Sequence, residues 1–500
     1  MQAIQATTLD GAHRLLDSGK IEQLGARVGD QLILPGDPRY EDARSVWNGM
    51  VDRHPALIVR CRGAADVIAA VRFARDHRLL LAVRGGGHNV AGFGTCDGGL
   101  VVDLSSMRGV RVTPASRRVR VEGGATLGDV DRETQAFGLA IPGGIVSTTG
   151  VAGLTLGGGQ GWLRRTHGMT CDSLVSVDVV TADGSLVTAS ESENSDLFWA
   201  LRGGGGNFGI VTSFEFRAHP IGPQIAFAGP VYPLDDASSV MAGMRAFVRD
   251  APDEVNVSAT WWSIPAVPSF PEELHGRAVI ILGAVCAGPA EDGEKKLRPL
   301  REIADTLLDL SGVMPYTGLQ QMFDPFFPAG ELRYYWKSIY LSGLKEEVVQ
   351  TIARHVAARP SKLSMAGLWT LGGALGRVDA EATATGSRDA PYLLEILANW
   401  DDPAATDVNI AWARAFFEAM EPHSTGKTNV NFPGTGDDRE FGRAAFGVHW
   451  NRLSEIKKKY DPTNLFRLNQ NIEPQACSPD TSADDRRHDP KHRQPARRRV

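Results

Sequence analysis

Cysteine is scarce and scattered in this chain. The 500 residues hold five, Cys61, Cys96, Cys171, Cys286 and Cys477, an odd number with no CxxC pair, so neither a disulfide framework nor a zinc set is expected. Long apolar runs are missing too: no stretch reaches 18 uninterrupted apolar residues, which argues against a spanning helix. The first thirty residues mix Asp10, Arg14, Asp17, Lys20 and Glu22 among short apolar groups, without the apolar core of a secretory leader or a twin-arginine signal, and the expectation is a cytoplasmic protein. Excess positive charge is also absent. With 53 Lys and Arg against 59 Asp and Glu, the net charge of −6 offers no general attraction for nucleic acid or an anionic membrane.

Glycine is what the chain has in abundance, 55 of 500 residues against the usual share of roughly 7%. The excess gathers between residues 85 and 209, interleaved with apolar side chains, as expected where backbone closely approaches a ligand. Its centre is LLLAVRGGGHNVAGFGTCDGGLVVDLS, residues 79–105. An apolar run over residues 79–83 and another over 100–104 read as strands. Between them, glycines without Cβ let successive N–H groups converge, so the loop from Arg84 to Asn89 can form a nest for phosphate oxygens, with Arg84 adding charge and His88 held beside the ligand. A second glycine-rich segment covers residues 143–162. A third, Gly204, Gly206 and Gly209, matches GxGxxG literally. A strand-like run over 210–216 follows it where a nicotinamide fingerprint needs a helix, so that reading is rejected.

Around these loops the pattern alternates strands and helices. Strands are expected at 57–60, 110–112, 119–121, 174–182 and 186–188, and helices at 11–24, 64–77, at 127–137 closed by Gly138, and at 197–201. Pro220 and Pro223 mark a boundary. Beyond them, strands at 255–262, 278–285, 332–341 and 363–372 intersperse with helices at 238–248, 294–309, 345–358 and 409–420, an antiparallel sheet backed by helices. Phe446, Trp450, Leu453, Ile456 and Tyr460 mark a last helix, stopped at Asp461-Pro462. From Ser478 the chain is polar and basic and is expected to be disordered. If Trp261, Trp262, Tyr335, Trp336 and Trp369 line one cavity, the ligand is flat or aromatic; large aromatics also serve as core.

The strings RGGGHNVAGFGTCDGG, GGIVSTTGVAGLTLGGGQGW, GGGGNFGIVT and KKKYDPTNLFRLNQNI, in this order, resemble the flavin-linked oxidases of the berberine bridge enzyme type, within the vanillyl-alcohol-oxidase superfamily, over roughly residues 45–475. The resemblance implies an α+β chain: a lead-in (1–45), a two-part FAD-binding domain of the PCMH type (46–222), a substrate domain (223–441), a segment returning to the FAD domain (442–477) and a tail (478–500). It implies FAD joined covalently through a ring nitrogen of His88. Cofactor contacts would fall on Arg84, Gly85, Gly86, Gly87, Asn89 and Gly92 in the first loop. In the second they would fall on Gly144, Thr148, Thr149, Gly150, Gly153, Gly158, Gly159 and Gly161, with Ile210, Asn469 and Asn471 completing the set. Strings 334–338, 372–378 and 382–392 resemble the family's strands over the flavin.

The pattern also departs from the family. The position of its second tether, a cysteine, is Val146, so one covalent bond is expected. Its usual tyrosines are replaced by Phe432 and Phe446, which leaves Tyr335, Lys337, Asn431 and His449 as polar candidates for catalysis. Thr149 falls where the family gates oxygen. The implied activity is oxidation of a small organic substrate with molecular oxygen as acceptor; a free amine or an activated phenol would need no strong base. A flavin dehydrogenase with another acceptor, and a flavoprotein that sequesters a toxic small molecule, share the same motifs.

Overall fold

The computed structural model describes residues 3–432, 434 and 438–474; the expected disordered tail and Cys477 lie outside them. Strands β1 (Ile4–Thr7) and β2 (His13–Leu16) pair antiparallel ahead of helix α1 (Ser18–Val28). The helix expected over residues 11–24 therefore starts later. Asp17 accepts the Lys20 N–H with its side chain and fixes the helix N-terminus, while strand pairing takes the residues before it.

The first layer contains β3 (Leu32–Ile33), β4 (Leu57–Arg60), α2 (Ala64–His77), β5 (Leu81–Arg84) and β6 (Leu100–Asp103). In α2, Val67, Ala70, Val71 and Ala74 are buried at helical spacing. The sheet order is β3-β4-β6-β5, with β6 parallel to both neighbours. The glycine loop thus leaves β5 at the carboxyl ends of three parallel strands, the edge where such sheets bind ligands.

Next come β7 (Val110–Thr113), β8 (Arg118–Glu122), α3 (Leu127–Gln135), α4 (Val151–Leu156), β9 (Leu174–Val180), β10 (Leu186–Ser190) and β11 (Ile210–Arg217). Their strands form an antiparallel sheet in the order β10-β9-β11-β8-β7. The GxGxxG string does open into strand β11, as expected.

The second half comprises α5 (Ala237–Asp250), β12 (Val255–Ser263), β13 (Ala278–Cys286), α6 (Ala290–Arg301), β14 (Arg333–Leu341), α7 (Glu346–Ala357), β15 (Met365–Thr370), β16 (Tyr392–Trp400) and α8 (Thr406–Met420). Five strands of a nine-stranded sheet run through its centre in the order β13-β12-β15-β16-β14, each antiparallel to its neighbours. Helices cover one face, where Trp261, Tyr335, Ile339 and Ile396 pack with Ile352, Trp412 and Phe416. Helix α6 ends at Arg301 and not at 309, because Leu308 and Asp309 pair with Val231 and Pro230 in the sheet. The strings 372–378 and 382–392 are not strands. Residues Gly373–Arg377 form a short helix, and the strand β16 begins only at Tyr392. Helix α9 (Trp450–Tyr460) then brings Leu453 and Ile456 back against Phe198 and Phe208 of the first half.

Candidate active site

Where the two halves meet lies a cavity of about 310 Å³, far more than the ~10–15 Å³ that one water needs. Glycine loops supply much of its wall. A Cβ on Gly86 would lie 2.4 Å from the Gly150 nitrogen, and one on Gly150 would lie 2.4 Å from the Gly86 nitrogen. No other residue permits these loops to touch backbone to backbone. Gly85, Gly86, Gly87, His88 and Asn89 line the cavity from the first loop, and Gly144, Thr149, Gly150 and Gly153 from the second. Gly205, Gly206, Gly209 and Ile210 line it from the third, and Asn469 from the C-terminal segment.

Other expected contacts serve the scaffold. Arg84 is ion-paired with Asp103, Nη2 to Oδ2 at 2.6 Å, and donates to the Ser45 carbonyl at 2.8 Å. Its charge is matched inside the fold and is not offered to a phosphate. Gly92 packs on Val51, Gly158 faces Met169, Gly159 faces Thr170 and Gly161 faces the Gly143 carbonyl, each where a side chain would collide or crowd. Asn471 is not among the lining residues.

His88 stacks on Trp47, with ring centroids 4.5 Å apart, and Trp47 stacks on Tyr334 at 3.7 Å. Its Nε2 lies 2.8 Å from Thr148 Oγ1, so Thr148 reaches the site through the histidine. Burial lowers the ring's pKa from 6.5 to about 3, which keeps the imidazole neutral and one nitrogen uncommitted to Thr148. The neighbouring turn is clamped from the second half: Asp324 accepts the Ser147 N–H at 2.8 Å and its hydroxyl at 2.5 Å. Val146, the position of the family's second tether, lines the cavity.

Strand parity decides the fate of the catalytic candidates. Side chains alternate along β14, and Trp336 faces the cavity. Tyr335 and Lys337 therefore face the helices: the Tyr335 hydroxyl accepts from Arg414 Nε at 3.1 Å, and Lys337 Nζ lies 4.4 Å from the Phe417 ring centroid. His449 also stands outside the cavity, edge-on to Trp199 at 5.3 Å. Asn431 does line it, donating to the Leu154 carbonyl at 3.2 Å. Of the five aromatic candidates, Trp336 and Trp369 line it; Trp261 is in the helix-side core and Trp262 packs on Phe326. Phe432 lines the cavity, whereas Phe446 is buried among core residues.

The residue that the sequence reading missed is Glu395. It sits mid-strand in β16, buried, opposite Gly367 of β15 and Ser338 of β14. A Cβ on Gly367 would come 3.2 Å from Glu395 Oε2, so the glycine makes room for the carboxyl. Burial pushes its pKa from 4.5 up to about 7, against the opposing pull of the Trp369 indole and the Arg164 guanidinium. Its signal was a lone acid in the otherwise apolar run YLLEILANW.

The residues fit a flavin dinucleotide. Three glycine loops border the cavity, and the buried acceptors Gln160 Oε1 and Asn469 Oδ1 on its wall have no hydrogen-bond partner within the chain. Among the described residues there is no cluster able to hold a metal ion, and no helix is long and apolar enough to cross a membrane.

Comparison with known proteins agrees with this geometry. Residues 55–190 match the family model for an FAD binding domain, and 406–473 match the one described as berberine and berberine like. The chain is 33% identical over 456 residues to the uncharacterized FAD-linked oxidoreductase YgaK of Bacillus subtilis, covering 90% of this chain and 98% of that one. It is 29% identical over 468 residues to (R)-6-hydroxynicotine oxidase of Paenarthrobacter nicotinovorans, covering 90% and 97%. The crystal structure of 6-hydroxy-D-nicotine oxidase from Arthrobacter nicotinovorans superposes with a TM-score of 0.80 at 27% identity, covering 90% and 98%. With its two glycine loops joined at one backbone contact and its sheet roofing the cavity, the chain belongs to the FAD-linked oxidoreductases of the berberine bridge enzyme-like type, within the vanillyl-alcohol-oxidase family, and is an FAD-dependent oxidase.

Proposed function

We propose that the chain carries FAD on one covalent bond at His88, oxidises a small organic substrate and delivers the electrons to molecular oxygen. The observation that carries this reading is the pose of His88, a neutral imidazole at the cavity wall with Nε2 engaged by Thr148, which leaves Nδ1 as the atom to hold the cofactor. When bound, FAD supplies the hydride acceptor and the route to oxygen. Trp47 holds the imidazole plane, and the Asp324 clamp on Ser147 holds the turn bearing Thr148 and Thr149. Glu395 takes the proton-accepting role that Phe432 and Phe446 cannot fill, and its pKa of about 7 suits that role near neutral pH. Residues 46–222 and 442–477 would hold the cofactor, and 223–441 would roof the substrate.

Acid-denatured protein should keep its yellow colour and in-gel flavin fluorescence, and His88→Ala should release FAD on denaturation while still binding it when folded. Full release of FAD from the denatured unmodified protein would remove the tether from this reading.

A further inference from the structure

The sheet side of the cavity narrows the chemistry of the substrate. Strands β14, β15 and β16 send Trp336, Trp369, Glu395 and Leu397 into it, and Phe327 and Phe432 join them from flanking loops. Among the described residues that line the cavity, Glu395 is the one carboxylate, and no lysine, arginine or aspartate is present. Several polar atoms near it are engaged within the protein, and the open acceptor Gln160 Oε1 is one of those that fit the cofactor. Trp336 Nε1 donates to Asn399 Oδ1 at 2.8 Å, Asn429 Oδ1 accepts the Asn431 N–H at 3.0 Å, and Gln160 Nε2 donates to the Tyr340 hydroxyl at 3.1 Å.

This wall treats substrate classes unequally. An oligosaccharide carries a hydroxyl on most carbons, and each one buried here without a partner costs about 1–3 kcal/mol. An anionic substrate would lose its hydration against a wall that offers no cation and already holds a carboxyl. A flat aromatic body gains from burial against indole and phenyl faces, and one donor finds one acceptor.

We propose that the substrate is an aromatic, non-anionic molecule with a single hydroxyl or amine on the aryl-bearing carbon that is oxidised, its O–H or N–H donating to Glu395. This rests on the function proposed above, with Glu395 as proton acceptor. With FAD bound, the C–H bond would break and its electron pair would leave as hydride to the cofactor. The O–H or N–H proton passes to the Glu395 carboxylate as C=O or C=N forms. Oxygen would then take the two electrons with two protons, one brought by the hydride and one released by Glu395, and leave as hydrogen peroxide.

The test uses the purified flavoprotein under anaerobic conditions, with four arms: aryl carbinols, arylalkylamines, the same compounds bearing a carboxylate, and sugars represented by glucose and xylobiose. Calorimetry reads binding and flavin bleaching reads reduction. A carbinol or amine arm should bind at least roughly tenfold more tightly than its carboxylate counterpart and bleach the flavin, with the sugar arm doing neither. Glu395→Gln should slow bleaching about 100-fold while changing the dissociation constant far less. Bleaching by sugars faster than by either aryl arm, or binding by neither aryl arm, would overturn the proposal. Photoreduced flavin that stays reduced in aerated buffer would instead sink oxygen as acceptor and leave the substrate class standing, so the two failures are distinguishable.

Discussion

Glu395 has no basic partner at ion-pair distance among the described residues, and its acidity is set mainly by burial. In the proton-accepting role proposed for it Glu395 must be ionised, so the rate of flavin reduction should rise with pH and reach half its maximum near pH 7, to which burial pushes the carboxyl. Glu395→Gln should flatten that limb, which stopped-flow reduction across the pH range would read. Thr149 carries the second prediction at this scale. It lines the cavity beside Gly150, its side chain is nearly isosteric with valine, and Thr149→Leu should slow reoxidation by oxygen while sparing reduction by substrate. Equal reoxidation rates in the two proteins would take Thr149 out of the oxygen path. His88 was readable from the sequence because its glycine loop announces itself locally, whereas Thr149 and Ile210 followed only from the family resemblance. Tyr335 and Lys337 were misjudged because only strand parity, fixed by long-range pairing with β16, decides which face each side chain takes.

Strand β16 shows why parts of the roof were illegible. Its nine residues are apolar on both faces apart from Glu395 and Asn399, so they lack the alternation that marks a half-exposed strand. The strings before it, with their glycines and small residues, looked more like structure than they are. Helix α3 offers a further test. Asp131 is buried on it and accepts from Gln320 Nε2 at 3.2 Å, while the same amide donates to the Gly144 carbonyl at 3.0 Å. Burial raises the Asp131 pKa from 3.8 to about 7. The folded chain thus keeps a proton that the unfolded chain has released, and stability from this group falls as pH rises between those two values. Asp131→Asn keeps the acceptor and removes the titration. Its melting temperature should fall less than that of the unmodified protein between about pH 5 and about pH 8; an equal fall would assign the loss to other groups.

The whole molecule is closed by its C-terminal segment. Lys457 Nζ, fully buried, donates to the Asn207 carbonyl at 2.7 Å, the Phe466 carbonyl at 2.9 Å and Asp461 Oδ2 at 2.7 Å. Asp461 in turn accepts the N–H groups of Leu465 and Phe466, each at 2.8 Å. This ties helix α9 to the third glycine loop and sets Phe466 and Asn469 on the cavity wall. Lys457→Met leaves Asp461 buried without its cation and should cost about 3–5 kcal/mol. Chemical unfolding would measure that loss, and reduced flavin content in the purified protein would show that the clasp is needed for loading. The sequence announced the helix and its Asp-Pro stop; that its lysine turns inward could be known only once the surrounding carbonyls were in place.

The contact between Gly86 and Gly150 joins the loop that bears His88 to the turn that bears Thr149 through bare backbone, whereas Trp336, Leu397 and Phe432 reach the cavity from the other half of the chain. Inheritance can therefore act on the two separately. Drift at the roof should change what is oxidised, drift at Gly86 or Gly150 should cost the bound flavin, and a variant library confined to residues 336, 397 and 432 should yield altered substrate ranges in colonies that all remain yellow.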